Sequence, residues 1–271
     1  MKSTINFYEQ EFLDQEATIP FDDRINGDAS IKDISPSLVD EYLEDHLIKK
    51  DFDGCSLEEI CSALNIVKGP EGDARPTNAG LLFFNNDPYL FYPSAITEMI
   101  DFNDDSGTDF SECHFIGPLH YQIRELLEYL RDNTIKERIR EGGKAKAARF
   151  FNFPYQAIEE AVINAYYHRS YEHLSTIELN VHPDKIEILS LPGPLPPLTN
   201  KSFMKKRVVG RDYRNRSIGK FLKEMGFANG RGTGIPKMYQ AMERNGSPAP
   251  VFQVDRDRAS FLVVLPIHPD F

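Results

Sequence analysis

The spacing of apolar positions changes several times along the chain, and each change predicts an element. Leu38, Tyr42, Leu43 and Leu47 follow helical spacing behind Ser35-Pro36-Ser37, where a serine can cap and Pro36 suits a first turn. A second helix starts after Gly54. Ser56 and Glu59 form a capping box there, and Leu57, Ile60, Cys61 and Leu64 make its apolar stripe. Gly69-Pro70-Glu71-Gly72 predicts a turn, and Thr77 caps a short helix over residues 78–84. These first helices and their turn allow a winged-helix start or a small helical cap. The absence of a basic face favours the cap. Residues 95–101 and 110–115 read as strands, and a helix follows Pro118 with Leu119, Ile123, Leu126, Leu127 and Leu130 on one side. Glu141-Gly142-Gly143 predicts a hairpin turn between strands 134–140 and 145–151.

From Pro154 the pattern sharpens. Ala157, Ile158, Ala161, Val162 and Ala165 give a helix through about residue 169. Residues 176–182 and 185–191 alternate as two hairpin strands across Pro183-Asp184. Four prolines in 192–197 require a loop. An amphipathic helix over 215–225, a glycine loop at 230–234, a helix from Pro236 to about Arg244, and strands 251–254 and 261–265 close the chain. The fold class is α/β (α+β). The expected layout is an acidic arm over 1–36, a mixed helix and strand region over 37–150, and an α/β sandwich over 151–271.

Composition changes this picture little. Hydrophobic residues make up 41% and charged residues 27%, an ordinary globular balance that excludes collagen-like and coiled-coil classes. No apolar run reaches the ~18 residues of a spanning helix, and Cys55, Cys61 and Cys113 form no CxxC. A reduced, cytoplasmic protein is expected. Charge adds more. Residues 1–60 hold 16 acidic and 5 basic residues, which is the whole net charge of −11, and the remainder is neutral. Residues 199–223 hold nine basic residues and one acid, Asp212. A solvated face is the plain reading of that run. The sharper reading is DNA contact through Lys205, Lys206, Arg207, Arg211, Arg214 and Arg216.

The chemistry lies in the second half. Glu160 and Asn164 are four apart, so a helix presents both on one face. A carboxylate so placed can orient and deprotonate water, and a carboxamide oxygen can complete a Mg²⁺ shell. Gly230, Gly232 and Gly234 precede a helix and suit close approach of backbone N–H groups to a phosphate.

This arrangement resembles the GHKL ATP-binding fold. A closer resemblance is to bacterial proteins labelled transcriptional regulators or RecG-related ATP-dependent helicases. It is carried by Phe153-Pro-Tyr-Gln-Ala-Ile-Glu-Glu-Ala-Val-Ile-Asn-Ala-Tyr-Tyr-His-Arg-Ser-Tyr171, by Ile186-Glu-Ile-Leu-Ser-Leu-Pro-Gly193, by Arg231-Gly-Thr-Gly-Ile-Pro236 and by Thr77-Asn-Ala-Gly-Leu-Leu-Phe-Phe84. Such relatives carry a Schlafen/AlbA-like domain ahead of this region.

The resemblance implies that Glu160 activates water and that Asn164 holds Mg²⁺. It implies that Gly193 belongs to the adenine loop and that Gly230, Gly232 and Gly234 cover the phosphates of ATP. It also matches His168 and Arg169 to a His-Arg pair of that branch. Leu191 stands where the wider family has an adenine-reading aspartate, and leucine accepts no hydrogen bond. Strand alternation points the neighbouring Ser190 to the other face. Two readings follow. One is a nucleotide-binding regulatory module with weak ATPase activity. The other is a scaffold without nucleotide that contributes dimerisation, as a homodimer, or DNA contacts. No Gly-x-x-x-x-Gly-Lys-Ser/Thr loop is present, so a true helicase is not expected.

Overall fold

Local signals build the first third as the sequence requires. The computed structural model describes residues 19–104, 106–140, 148–204, 213–228 and 232–271. Helix α1 (Pro36–Asp45) buries Leu38, Val39, Tyr42 and Leu43. Leu47 departs from that stripe: it lies beyond the helix end at φ 56° and is exposed. Helix α2 (Leu57–Ala63) carries the predicted capping box, with the Glu59 N–H donating to Ser56 Oγ and the Ser56 N–H to Glu59 Oε2. Two short strands, β1 (Val67–Lys68) and β2 (Arg75–Pro76), pair antiparallel. Helix α3 (Asn78–Phe84) follows, capped by Thr77 Oγ1 on the Gly80 N–H at 3.0 Å. All seven residues of α3 are buried, which leaves no face for a nucleic-acid groove.

The alternating segments form one six-stranded sheet. Strands β3 (Thr97–Phe102) and β4 (Phe110–Phe115) precede helix α4 (Leu119–Tyr129). A small hairpin of β5 (Glu137–Arg140) and β6 (Ala148–Phe151) comes next, and its predicted turn lies outside the described residues. Helix α5 (Tyr155–His168), strands β7 (Ile177–Val181) and β8 (Lys185–Ser190), helices α6 (Asn200–Phe203), α7 (Arg216–Glu224) and α8 (Gly234–Asn245), and strands β9 (Val251–Val254) and β10 (Phe261–Pro266) complete the chain.

The order is β4-β3-β7-β8-β10-β9, antiparallel except for the β3–β7 pair. One sheet therefore crosses the expected division at residue 150. Its buried face carries Met99, Leu179, Ile186, Ile188, Val263 and Leu265. Helix α5 covers that face with Ala157, Ile158, Ala161, Val162 and Ala165, giving a two-layer α/β sandwich. Among the described residues no helix is long and apolar enough to cross a membrane.

The C-terminus of α5 has no glycine to end it. Side chains from the segment before α7 do the work instead. Asn215 Nδ2 donates to the carbonyls of Tyr167 (3.0 Å) and Arg169 (2.6 Å), and Arg214 Nη1 donates to the His168 carbonyl.

Residues 19–36, expected as an arm, are folded against the body in two 3₁₀ turns (Phe21–Asp23 and Ile31–Asp33). Asp22 is fully buried, and its Oδ2 accepts from the N–H groups of Ser217 (2.6 Å) and Ile218 (3.0 Å) at the start of α7. Its Oδ1 has no partner among the described residues. Burial outweighs those two bonds and pushes its pKa up to about 6. A carboxyl whose folded-state pKa is raised loses stability as pH climbs from the unfolded value to the folded one. Asp22→Asn keeps an acceptor for both N–H groups and removes the buried charge. It is expected to raise stability by about 1–3 kcal/mol at pH 7 and by little at pH 4. Denaturant melts of the variant and the unmodified chain at both pH values check this. The comparison cancels the opposite, acid-side loss from His120 and His168, which burial holds down to about 4.

Candidate functional site

With its apolar stripe on the sheet, α5 turns Glu160 and Asn164 toward the start of α8. Asn164 Nδ2 donates to the Glu160 carbonyl at 2.7 Å, which fixes the carboxamide and leaves Oδ1 without a partner among the described residues. The Glu160 carboxylate pairs with Lys237 Nζ from the first turn of α8. Gly234 opens α8 directly over these groups. A Cβ there would stand 2.6 Å from Asn164 Nδ2 and 3.2 Å from Glu160 Oε2, so a larger residue would have to displace the Asn164 carboxamide.

Behind Asn164 the last turn of α5 contributes aromatic rings. Tyr167 stacks on His168 (centroids 4.6 Å apart) and on Tyr213 (5.2 Å). Burial, and then the Arg214 charge, hold His168 down to about 4, so its imidazole is neutral at pH 7. Tyr166, its neighbour, faces the other way into the core, with its hydroxyl on Thr97.

These elements enclose a cleft with two ends. The larger end, about 120 Å³, lies between α5, the 192–198 loop and the start of α8. It is lined mainly by Pro192, Leu195, Leu198, Phe203, Ile235 and Phe261. That is close to the ~150 Å³ of a cavity known to hold a benzene ring. The smaller end, about 50 Å³, includes Glu160 and Thr233. Asn164, His168, Tyr213, Gly232 and Gly234 line both ends.

Most of the expected site residues meet here. Glu160, Asn164, Gly232 and Gly234 converge, with Gly232 at φ 62°. Gly193 lines the larger end, and its N–H donates to the Arg258 carbonyl at 2.8 Å. Gly230 lies outside the described residues, as do Lys205, Lys206, Arg207 and Arg211.

Two expectations need correction. Ser190 shares the helix-facing side of β8 with Ile186 and Ile188 and lines the cleft, whereas Leu191 is not among the lining residues. Alternation was the right rule, but the core isoleucines define which face matters. Arg214 is buried and holds the carbonyls of His168 and Gly193, so it is not a surface contact for DNA. Arg216 is exposed. Lys237 carried no sequence signal beyond its place one turn into the helix after the glycine loop.

Residues 175–265 match the model of a protein family described as "Putative ATP-dependent DNA helicase recG C-terminal". An ATPase-like domain of that type is present. The match takes in Gly193, the glycine loop and Lys237 but begins after α5, so Glu160 and Asn164 join the site through the geometry alone. No curated protein matches the chain. Among solved structures, the fold is similar to that of the DIP2311 protein from Corynebacterium diphtheriae, with a TM-score of 0.69 and 17% identity. The similarity covers 96% of this chain and 50% of that one, so the chain spans about half the length of that protein.

A RecG C-terminal-like domain raises the question of magnesium. Among the described residues no three or more His, Cys, Asp or Glu side chains are placed to hold a metal ion. The free Asn164 Oδ1 is nevertheless a hard oxygen at the junction of the two ends. It fits a Mg²⁺ ion whose remaining ligands are phosphate oxygens and water.

Proposed function

We propose that the chain binds a nucleoside triphosphate in the cleft between α5, the 192–198 loop and α8, as a regulatory nucleotide-binding module. The observation that carries this reading is Gly234, where the start of α8 rests on Asn164 and Glu160 so closely that a Cβ would displace the Asn164 carboxamide. A helix N-terminus favours anions, so the phosphates belong at the smaller end, beside Thr233 and the start of α8, and the base at the larger end. Asn164 Oδ1 would hold Mg²⁺, which supplies charge neutralisation to the phosphates. Glu160 orients water only after Lys237 releases its carboxylate. Binding without rapid turnover is the expected behaviour of this arrangement. A role in transcription and contact with DNA rest on the basic stretch, of which Lys201, Arg216, Lys220 and Lys223 are exposed.

The test is calorimetric and thermal titration with ATP and Mg²⁺ on the unmodified chain and on Asn164→Ala. A ligand at 100 times its Kd stabilises the fold by about 2.7 kcal/mol. The variant is expected to bind at least about tenfold more weakly, a loss of about 1.4 kcal/mol. No binding at millimolar nucleotide would return the protein to the reading of a scaffold.

A further inference from the structure

Resting on that nucleotide reading, we infer that Ser190 is the base-reading residue and that the pocket accepts adenine and guanine alike. Ser190 is 4% exposed and lines the larger end of the cleft, yet its hydroxyl has no hydrogen-bond partner among the described residues. A polar group is normally paired, and this hydroxyl is open to a mainly apolar cleft, where a ligand atom can meet it. Two of the other polar side chains around that end are anchored on backbone carbonyls. Arg214 holds the carbonyls of His168 and Gly193, and Asn164 Nδ2 that of Glu160, while Tyr167 stacks on both His168 and Tyr213.

The chemistry of a hydroxyl sets the consequence. Serine both donates and accepts, and its proton rotates to suit its partner. Adenine presents an amino donor at position 6 and guanine a carbonyl acceptor there. A carboxylate would accept from the first and repel the second. Ser190 satisfies either. Leu191, one step along, is turned away from the lining and reads neither.

The experiment is isothermal titration of ATP and GTP, with Mg²⁺, into the unmodified chain, Ser190→Ala and Ser190→Asp. The two nucleotides are expected to bind the unmodified chain within about threefold of each other. Ser190→Ala should weaken both by about five- to tenfold, the size of one lost hydrogen bond. Ser190→Asp should favour ATP over GTP by more than tenfold, and the near-isosteric alanine variant guards against a folding defect in the aspartate one. A preference of thirtyfold or more for either nucleotide in the unmodified chain overturns this inference and leaves nucleotide binding standing. Equal affinities unchanged in Ser190→Ala also overturn it. No binding of either nucleotide overturns the nucleotide reading, and this inference with it.

Discussion

Replacing Arg169 with methionine is expected to lower stability by about 3 kcal/mol or more, a large share of the ~5–15 kcal/mol typical of a folded protein. The side chain is 1% exposed and has no carboxylate partner among the described residues. Its guanidinium instead donates to three backbone carbonyls: Ser94 at 2.9 Å, Ser175 at 2.6 Å and Ser170 at 3.3 Å. It also lies over the Tyr171 ring, 4.7 Å from its centre. Ser94 precedes β3 and Ser175 precedes β7, the one parallel pair of the six-stranded sheet. One arginine at the end of α5 thus ties down the starts of both strands. Methionine fills much of the volume and removes the cost of burying a charge, which also lowers the arginine pKa. It leaves the carbonyls of the buried Ser94 and Ser170 unpaired at about 1–3 kcal/mol each, and that outweighs the relief. Urea titration followed by far-ultraviolet circular dichroism measures the difference. A loss below 1 kcal/mol would show that water takes over the carbonyls.

Gly80→Ala should be nearly as damaging, at about 2–4 kcal/mol. Alanine in a helix ordinarily gains about 1 kcal/mol over glycine. Here a Cβ would stand 2.2 Å from the carbonyl oxygen of Ile66, and that oxygen cannot swing away. It is held by the N–H of Thr77 at 2.9 Å and by the Thr77 hydroxyl at 3.1 Å. The same threonine caps α3. Relieving the clash therefore breaks either the cap or the packing of a fully buried helix. Scanning calorimetry should show a fall in Tm of several degrees, given about 2–4 °C per kcal/mol for a chain of this size. An unchanged or raised Tm would mean that α3 shifts freely.

Local rules made much of this legible. The Ser56–Glu59 box, the Thr77 cap and the 3.6-residue stripe of α5 are short-range signals, and they formed as written. Glu160 and Asn164 were readable for the same reason, since a helix fixes the relation of residues four apart. Contacts from distant segments were not readable. Lys237 reaches Glu160 across 77 positions, and Arg214 reaches the end of α5 across 46. Nothing near Arg214 distinguishes it from its basic neighbours, and only the open carbonyls of another helix give it a structural task. Arg169 was matched by resemblance without a role, because its partners are backbone atoms and leave no trace in side-chain chemistry. Ser190 shows a different limit. Period-two alternation separates two faces but does not say which one the helices cover.

The parallel pairing of β3 with β7 bears on how the molecule can be dissected. Met99 lies opposite Leu179 in that ladder, 80 positions apart. A piece confined to residues 175–265 would keep β7, β8, β10 and β9 but strip β7 of a neighbour along one edge and uncover the isoleucines beneath α5. An open edge beside an apolar face is a template for strand addition by other chains. The matched segment is therefore a unit of sequence similarity and not a unit of folding. Any fragment meant to retain the cleft must begin ahead of β3.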